Sequence, residues 1–236
     1  MQTFAEHLYY DEPELDHVIK RFEATTGESW DDFREYDWLD CIPEYNGNNI
    51  ADTRMSKRCM WQDVLLGLFD HELRGMDFSS HYSALADKFK GCAERSKSYS
   101  LMFEFAEKVA RVLSLKAYMG IKLAGEYKAG NKDELKKIAE VDLPTLKGYL
   151  EDLRRVNRDY FFATYKPLGW EVMDIRYGGG IARVDTAIYR LTEYLEGRLE
   201  KIEELEEERL PYPLGERLHS SLCSADYYML CSPSTL

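Results

Sequence analysis

Paired aspartates are the side chains of this sequence that could carry out acid–base chemistry. The pairs are Asp31 with Asp32, Asp63 with Asp70, and Asp174 with Asp185. In such a pair, one carboxyl group can donate a proton while the other accepts one. On helices, however, aspartates act more often as caps, ion-pair partners or solvated charges, and nothing around these pairs separates them from that ordinary use. We therefore predict no catalytic residue.

Motifs that commonly bind metals, phosphates or activated nucleophiles are missing. The five histidines form neither HxxxH nor HExxH, and there is no GxSxG or GxxxxGK[ST] motif. The five cysteines are Cys41, Cys59, Cys92, Cys223 and Cys231. Their odd number, their wide spacing and the absence of a CxxC pair predict free thiols in a reducing compartment. We expect no metal site and no cofactor.

The charge balance excludes two classes of partner. The 236 residues include 43 acidic and 31 basic side chains, which gives a formal net charge of -12. An acidic chain without a basic cluster is a poor ligand for nucleic acid or an anionic membrane surface. No apolar run approaches the roughly 20 residues of a membrane span, and residues 1–11 lack the pattern of a signal peptide. These features predict a cytoplasmic protein.

The stretch from Trp170 to Leu195 is the element that organises the chain. Its apolar positions are Met173, Tyr177, Ile181, Val184, Ile188, Leu191 and Leu195. Steps of three and four residues describe one face of a helix, and this register passes through three consecutive glycines without slipping. We therefore predict one continuous helix, which the apolar spacing of Leu199, Ile202 and Leu205 extends to about Arg209.

The glycines Gly178, Gly179 and Gly180 need an explanation because each costs about 1 kcal/mol in a helix interior relative to alanine. Arg176 and Arg183 are seven residues apart and flank this bare patch on one face. Two interpretations remain open. The patch is either a tight crossing of two helices within the fold, or a docking surface for another domain, a subunit or a sugar.

The rest of the chain also has helical spacing and almost no strand signal. We predict an all-α bundle of six to eight helices, with Ser98 to Tyr127 as its most apolar and central helix. Helix starts are predicted at Asp11, Ser29, Asn131 and Pro144, helix ends at Gly27 and Gly130, and a loop at Cys41 to Ser56. The expected organisation is a single domain over 1–236. Its first helix and lead-in occupy 1–28, its helical core 29–210 and an extended tail 211–236.

Four tryptophans lie near the ends of the predicted elements rather than in mid-helix. They are Trp30, Trp38, Trp61 and Trp170. Amphipathic rings at such places are useful at interfaces. They could stack on a sugar or pack against a neighbouring domain, and the sequence leaves both possibilities open.

Three blocks together resemble the C-terminal helical region of bacterial glycoside hydrolase family 20 enzymes, the exo-β-N-acetylhexosaminidases. The blocks are Trp61 to Asp70 (WQDVLLGLFD), Lys166 to Gly179 (KPLGWEVMDIRYGG), and the run from Ile181 through Tyr194-Leu195-Glu196-Gly197 to Leu210. The resemblance covers roughly Thr26 to Leu210. This sequence departs from the pattern at Val64, where proline is expected, and at Gly180, where a larger apolar residue is expected.

The resemblance implies an enzyme made of a small α/β domain, a catalytic (β/α)8 barrel and this helical domain. The barrel of about 250 residues is missing from this sequence, and no residue matches the family's catalytic Asp-Glu pair. The resemblance therefore implies a non-catalytic domain that packs on the barrel of its parent polypeptide and supports a homodimer. Candidate interface residues are Trp61, Asp63, Trp170, Asp174, Arg176, Gly178, Gly179, Gly180 and Arg183.

Two other functions stay open at this point. The chain could be an independent helical module that binds glycans or proteins through Trp61 or Trp170. It could also be a small stand-alone enzyme that uses its carboxylates.

Overall fold

The computed structural model describes residues 2–12, 14–40, 55–71, 73, 75 and 78–210, and within these ranges the chain is all-α, without a strand. The helices are α1 (Gln2–His7), α2 (Leu15–Thr26), α3 (Trp30–Arg34), α4 (Met55–Trp61), α5 (Phe78–Arg95), α6 (Ser100–Lys116), α7 (Met119–Lys128), α8 (Lys132–Lys137), α9 (Leu143–Thr164), α10 (Trp170–Leu195) and α11 (Glu203–Glu206). The predicted helical bundle is confirmed. Residues 41–54 of the predicted loop and the predicted tail 211–236 lie outside the described residues.

Helix α6 lies in the middle of the bundle. It packs against α5 on one side and α9 on the other, and α9 in turn packs against α10. Phe89, Phe103, Leu113 and Leu153 are all fully buried in the shared core. A helix that is apolar on most of its surface is expected in this central position.

The prediction of one continuous helix from Ser98 to Tyr127 is wrong, because the helix is interrupted between α6 and α7. At the break, the hydroxyl group of Tyr118 donates to the carbonyl oxygen of Leu73 at 3.0 Å. Gly120 follows directly, and a Cβ atom there would lie 2.7 Å from a carboxylate oxygen of the buried Asp70. The break therefore brings α7 close to the segment around Asp70, a long-range contact that helical spacing does not reveal.

Helix α10 is continuous through its three glycines, as predicted, but it ends at Leu195 and does not reach Arg209. Gly197 adopts the left-handed conformation with φ of 74°. Its N–H donates to Tyr194, and the N–H of Arg198 donates to Glu193, which together satisfy the last carbonyl groups of the helix. The chain then turns back, and Glu203–Glu206 form the separate helix α11.

Two predicted helices, beginning at Asn131 and Pro144, are joined into one helical run. Asn131 caps α8 as predicted, with its side chain accepting from the N–H of Glu134 at 3.4 Å. A π-helical turn at Ile138–Asp142 then leads into α9. Pro144 has no N–H group to donate, and placing it in the first turn after this widened turn lets the chain stay helical.

Predictions at the start of the chain are partly correct. Ser29 caps α3 and Gly27 ends α2 in the left-handed conformation, as expected. Asp11 is not the N-cap of α2, since Glu14 precedes that helix. Among the described residues, no helix combines the length and apolar character needed to cross a membrane.

Candidate association surface

Helix α10 is held against the segment that follows α4 by an ion pair between Arg183 and Asp63. The guanidinium Nε lies 2.5 Å from a carboxylate oxygen of Asp63. The other carboxylate oxygen accepts from the N–H groups of Leu65 at 2.8 Å and Leu66 at 3.1 Å. Asp63 therefore fixes the turn in its own segment and also holds that segment against α10.

The environment of Asp63 favours its charged form. Burial alone would raise the pKa of this carboxyl group, but the hydrogen bond and charge of Arg183 outweigh burial, with help from the N–H groups of Leu65 and Leu66. The pKa of Asp63 consequently lies below its usual value. A carboxylate already committed to three donors is a structural anchor rather than a proton donor.

Trp61, the last residue of α4, forms a second contact with α10 through Arg176. The guanidinium carbon of Arg176 lies 5.3 Å from the centre of the Trp61 ring, in cation–π geometry. The ring of Tyr177 lies 5.4 Å from Trp61, and its hydroxyl group accepts from the side chain of Asn157 on α9 at 2.9 Å. Tyr177 thus connects three elements at one point of the core.

Trp170 belongs to the core and not to an exposed platform. Only 5% of it is accessible, and its ring packs 5.5 Å from Phe161 and 5.8 Å from Phe162. The guanidinium group of Arg176 lies over the ring of Trp61. A sugar-stacking role needs an open ring face, which Trp170 does not offer.

A buried lysine that sequence reasoning missed anchors the segment from α4. Lys116, at the end of α6, is 4% exposed, and its ammonium group donates to the carbonyl oxygens of Cys59, at 3.1 Å, and Gln62. The signal in the sequence was a single lysine on an apolar helix face, but its partners lie more than fifty residues away. Lys116 also lines a cavity of ≈ 20 Å³ beside Gly180.

Five of the six paired aspartates form ion pairs with basic side chains in this fold. The partners are Arg95 for Asp32 at 2.7 Å, Arg183 for Asp63, Arg209 for Asp70 at 3.5 Å, Arg154 for Asp174 at 2.8 Å and Lys147 for Asp185 at 2.6 Å. Each of these five aspartates is accounted for as an ion pair.

The thiols of Cys59 and Cys92 are both buried. Burial disfavours the thiolate and raises the pKa of each to about 12.

The interpretation of the glycines as a tight helix crossing within the fold is wrong at two of the three positions. A Cβ atom built on Gly178 or Gly180 would meet no other atom within 4 Å. Gly178 is exposed at the edge of a groove lined by Arg154, Arg155 and Asp174. Packing inside this domain therefore does not require glycine at either place.

Alanine at Gly178 or Gly180 should stabilise the domain. The missing contacts leave room for a methyl group, and the gain in helix propensity is about 1 kcal/mol per site. Urea unfolding of each variant measures the change. Gly120→Ala is the matched control on α7, and it should lose about 1–3 kcal/mol because its Cβ clashes with the buried Asp70. Losses at Gly178 and Gly180 would show that something does pack there.

Between Val172 and Tyr189, the outward side of α10 carries a face without charged residues. Its members are Val172, Ile175, Gly179, Ala182, Thr186 and Tyr189. Three of them expose more than half of their surface: Val172 at 56%, Ile175 at 57% and Tyr189 at 61%. The spacing of three, four, three, four and three residues is that of a helix-packing seam. We call these six residues the outer face. The inward-facing register concealed this second pattern during sequence reasoning.

The structure therefore gathers the predicted interface residues around α10 but gives them different roles. Asp63, Arg183, Trp61 and Arg176 hold α10 to the end of α4 and the segment after it, and Trp170 is buried. Asp174 pairs with Arg154 on α9. Of the predicted set, Gly179 belongs to the outer face.

The family model described as the Glycoside Hydrolase 20C C-terminal domain matches residues 31–224 of the chain. A comparison with curated proteins gives no match.

Proposed function

The chain belongs to the Glycoside Hydrolase 20C C-terminal domain family, and from this premise we propose a non-catalytic role in a β-N-acetylhexosaminidase. In this proposal the domain packs on the catalytic barrel of its parent polypeptide and supports formation of a homodimer. The parent enzyme removes terminal N-acetylhexosamine from glycans in the cytoplasm. Residues 1–236 act as one cooperative helical unit.

The outer face of α10 is the observation that carries the association part of the proposal. A monomeric protein rarely exposes a contiguous apolar surface of this kind without a partner. The mid-helix glycine at its centre, Gly179, costs about 1 kcal/mol of helix propensity relative to alanine. An association surface accounts for both features.

Packing on a barrel is supported by a second exposed apolar patch, at the corner between α9 and α10. Phe162, Tyr165 and Leu168 form this corner patch, and Leu168 is 85% exposed. The family match begins at residue 31, in α3. The matched domain therefore begins after α1 and α2.

Aromatic contacts place α3 and the corner patch at the same end of the bundle. Phe33 of α3 packs 5.3 Å from Phe103, near the start of α6. Phe105, two residues further into α6, stacks 5.7 Å from Tyr160, which lies two residues before the corner patch. An apolar surface at the end of the bundle where the matched domain begins therefore supports packing on a barrel.

The non-catalytic part of the proposal is tested by assaying the purified 236-residue chain on an aryl N-acetyl-β-glucosaminide. We expect no turnover above that of buffer, because five of its six candidate aspartates are committed to ion pairs. An active β-N-acetylhexosaminidase under the same conditions is the positive control. Turnover that disappears in Asp63→Asn or Asp174→Asn would contradict the proposal.

A further inference from the structure

The outer face of α10 has the size pattern of a crossing point between two helices. Gly179 and Ala182 occupy its middle, and larger side chains stand towards both ends, at Val172, Ile175 and Tyr189. Two crossing helices approach most closely at one point and diverge on either side, so small residues suit the centre and larger ones fill the widening gap. Val172 and Tyr189 lie about 13 Å along the axis from the midpoint. The face is therefore shaped for another helix.

We propose that this helix is α10 of a second copy, and that the two copies cross in antiparallel orientation over Gly179 and Ala182. This inference rests on the proposed function, since it specifies how the homodimer forms. In a two-fold dimer each contact occurs twice, with the roles of the two residues exchanged. The spacing of the outer face reads the same from either end. It sets Gly179 opposite Ala182, Ile175 opposite Thr186, and Val172 opposite Tyr189 of the second copy.

Charges beside the outer face support a second copy rather than a partner with opposite charge. An antiparallel two-fold arrangement brings the same edge of both helices together, so unpaired charges would repel. These edges are neutralised within each domain. The pairs are Arg183 with Asp63, Arg190 with Glu203 and Glu204, Asp174 with Arg154, and Asp185 with Lys147. A different partner recognised through charge would find few unpaired groups here.

Arg176 is the remaining basic residue on this edge near the crossing, and it stacks on Trp61. In the antiparallel arrangement the two copies of Arg176 are separated by about 13 Å along the axis. That distance exceeds the Debye length of about 8 Å at physiological ionic strength, so their repulsion is largely screened. The arrangement is therefore compatible with the charge of Arg176.

Thiol cross-linking between two variants tests the orientation. One chain carries Val172→Cys and the other Tyr189→Cys, both with Cys41, Cys223 and Cys231 replaced by serine. The buried Cys59 and Cys92 have a raised pKa and react slowly. A bismaleimide with a two-carbon spacer is added to each variant alone and to the mixture. Gly148→Cys, at an exposed position on α9, is the matched control.

We expect about tenfold more covalent dimer from the mixture than from either variant alone, because identical residues lie about 25 Å apart along the axis. Self-cross-linking of Val172→Cys, or cross-linking by Gly148→Cys as efficient as that of the mixture, would overturn the antiparallel crossing. A chain that sediments as a dimer but forms no cross-link would overturn it too, while leaving the proposed homodimer intact. A chain that sediments as a monomer would overturn both. Thermal melting of each variant verifies folding, which we expect because both side chains are more than half exposed.

Discussion

Replacing Asp63 with alanine should lower the free energy of unfolding by about 3 kcal/mol. The substitution leaves Arg183 without its ion-pair partner and removes the acceptor for the N–H groups of Leu65 and Leu66. Breaking a largely buried pair from one side is costly because the remaining charge stays desolvated. Urea unfolding at neutral pH measures the loss.

Asp63→Asn and the dependence on pH provide the control for this prediction. Asparagine keeps an acceptor for the two N–H groups but lacks the charge. Since the pKa of Asp63 is lowered in the folded protein, its charge stabilises the fold above the ordinary value of about 3.9. This contribution is lost as the pH falls through the lowered pKa. The advantage of the wild type over Asp63→Asn should therefore shrink below about pH 4. Equal stability of the two proteins at every pH would contradict the anchoring role of Asp63.

Lys116→Ala should have a larger effect, a loss of about 4 kcal/mol. It deprives two carbonyl groups, those of Cys59 and Gln62, of a charged donor and leaves a cavity in place of a long side chain. Lys116→Met keeps most of the volume, so we expect it to lose only about half as much. Urea unfolding of both variants separates the two contributions. A Lys116→Ala protein as stable as the wild type would show that the segment after α4 is held without this lysine.

The continuity of α10 could be predicted because glycine does not disturb apolar spacing. Tyr177 and Val184 stand on either side of the glycines at the distance of two helical turns, and both are buried. The end of the helix could not be predicted from the same pattern. Ile202 and Leu205 continue the spacing and are buried, but the left-handed turn at Gly197 carries them back onto the bundle separately.

The contacts of the candidate surface illustrate what one sequence leaves open. Asp63 and Arg183 were both singled out as candidates, yet nothing local shows that they meet across 120 positions of the chain. The role of Lys116 depends on the break between α6 and α7 and on a turn after α4. Both are set by tertiary packing, which overrides the local helical pattern.

The outer face of α10 was visible in the sequence in principle. Val172, Ile175 and Tyr189 have helical spacing, but they are few beside the stronger inward register of Tyr177 and Val184. Only the burial of the inward face shows that these residues have no partner in the described part of the domain. The glycines were correctly identified as unusual, although their interpretation as an internal crossing was wrong at Gly178 and Gly180.

Sedimentation equilibrium of the purified chain measures association through α10 most directly. We expect a dimer for the wild type and for Gly148→Leu, whose side chain stands at an exposed mid-helix position of α9 with open space around it. Gly179→Leu should weaken the dimer at least about tenfold, since overpacking costs about 1–3 kcal/mol and each dimer contains the substitution twice. A wild-type chain that remains monomeric at every concentration, or a Gly179→Leu dimer as tight as that of Gly148→Leu, would contradict association through this face.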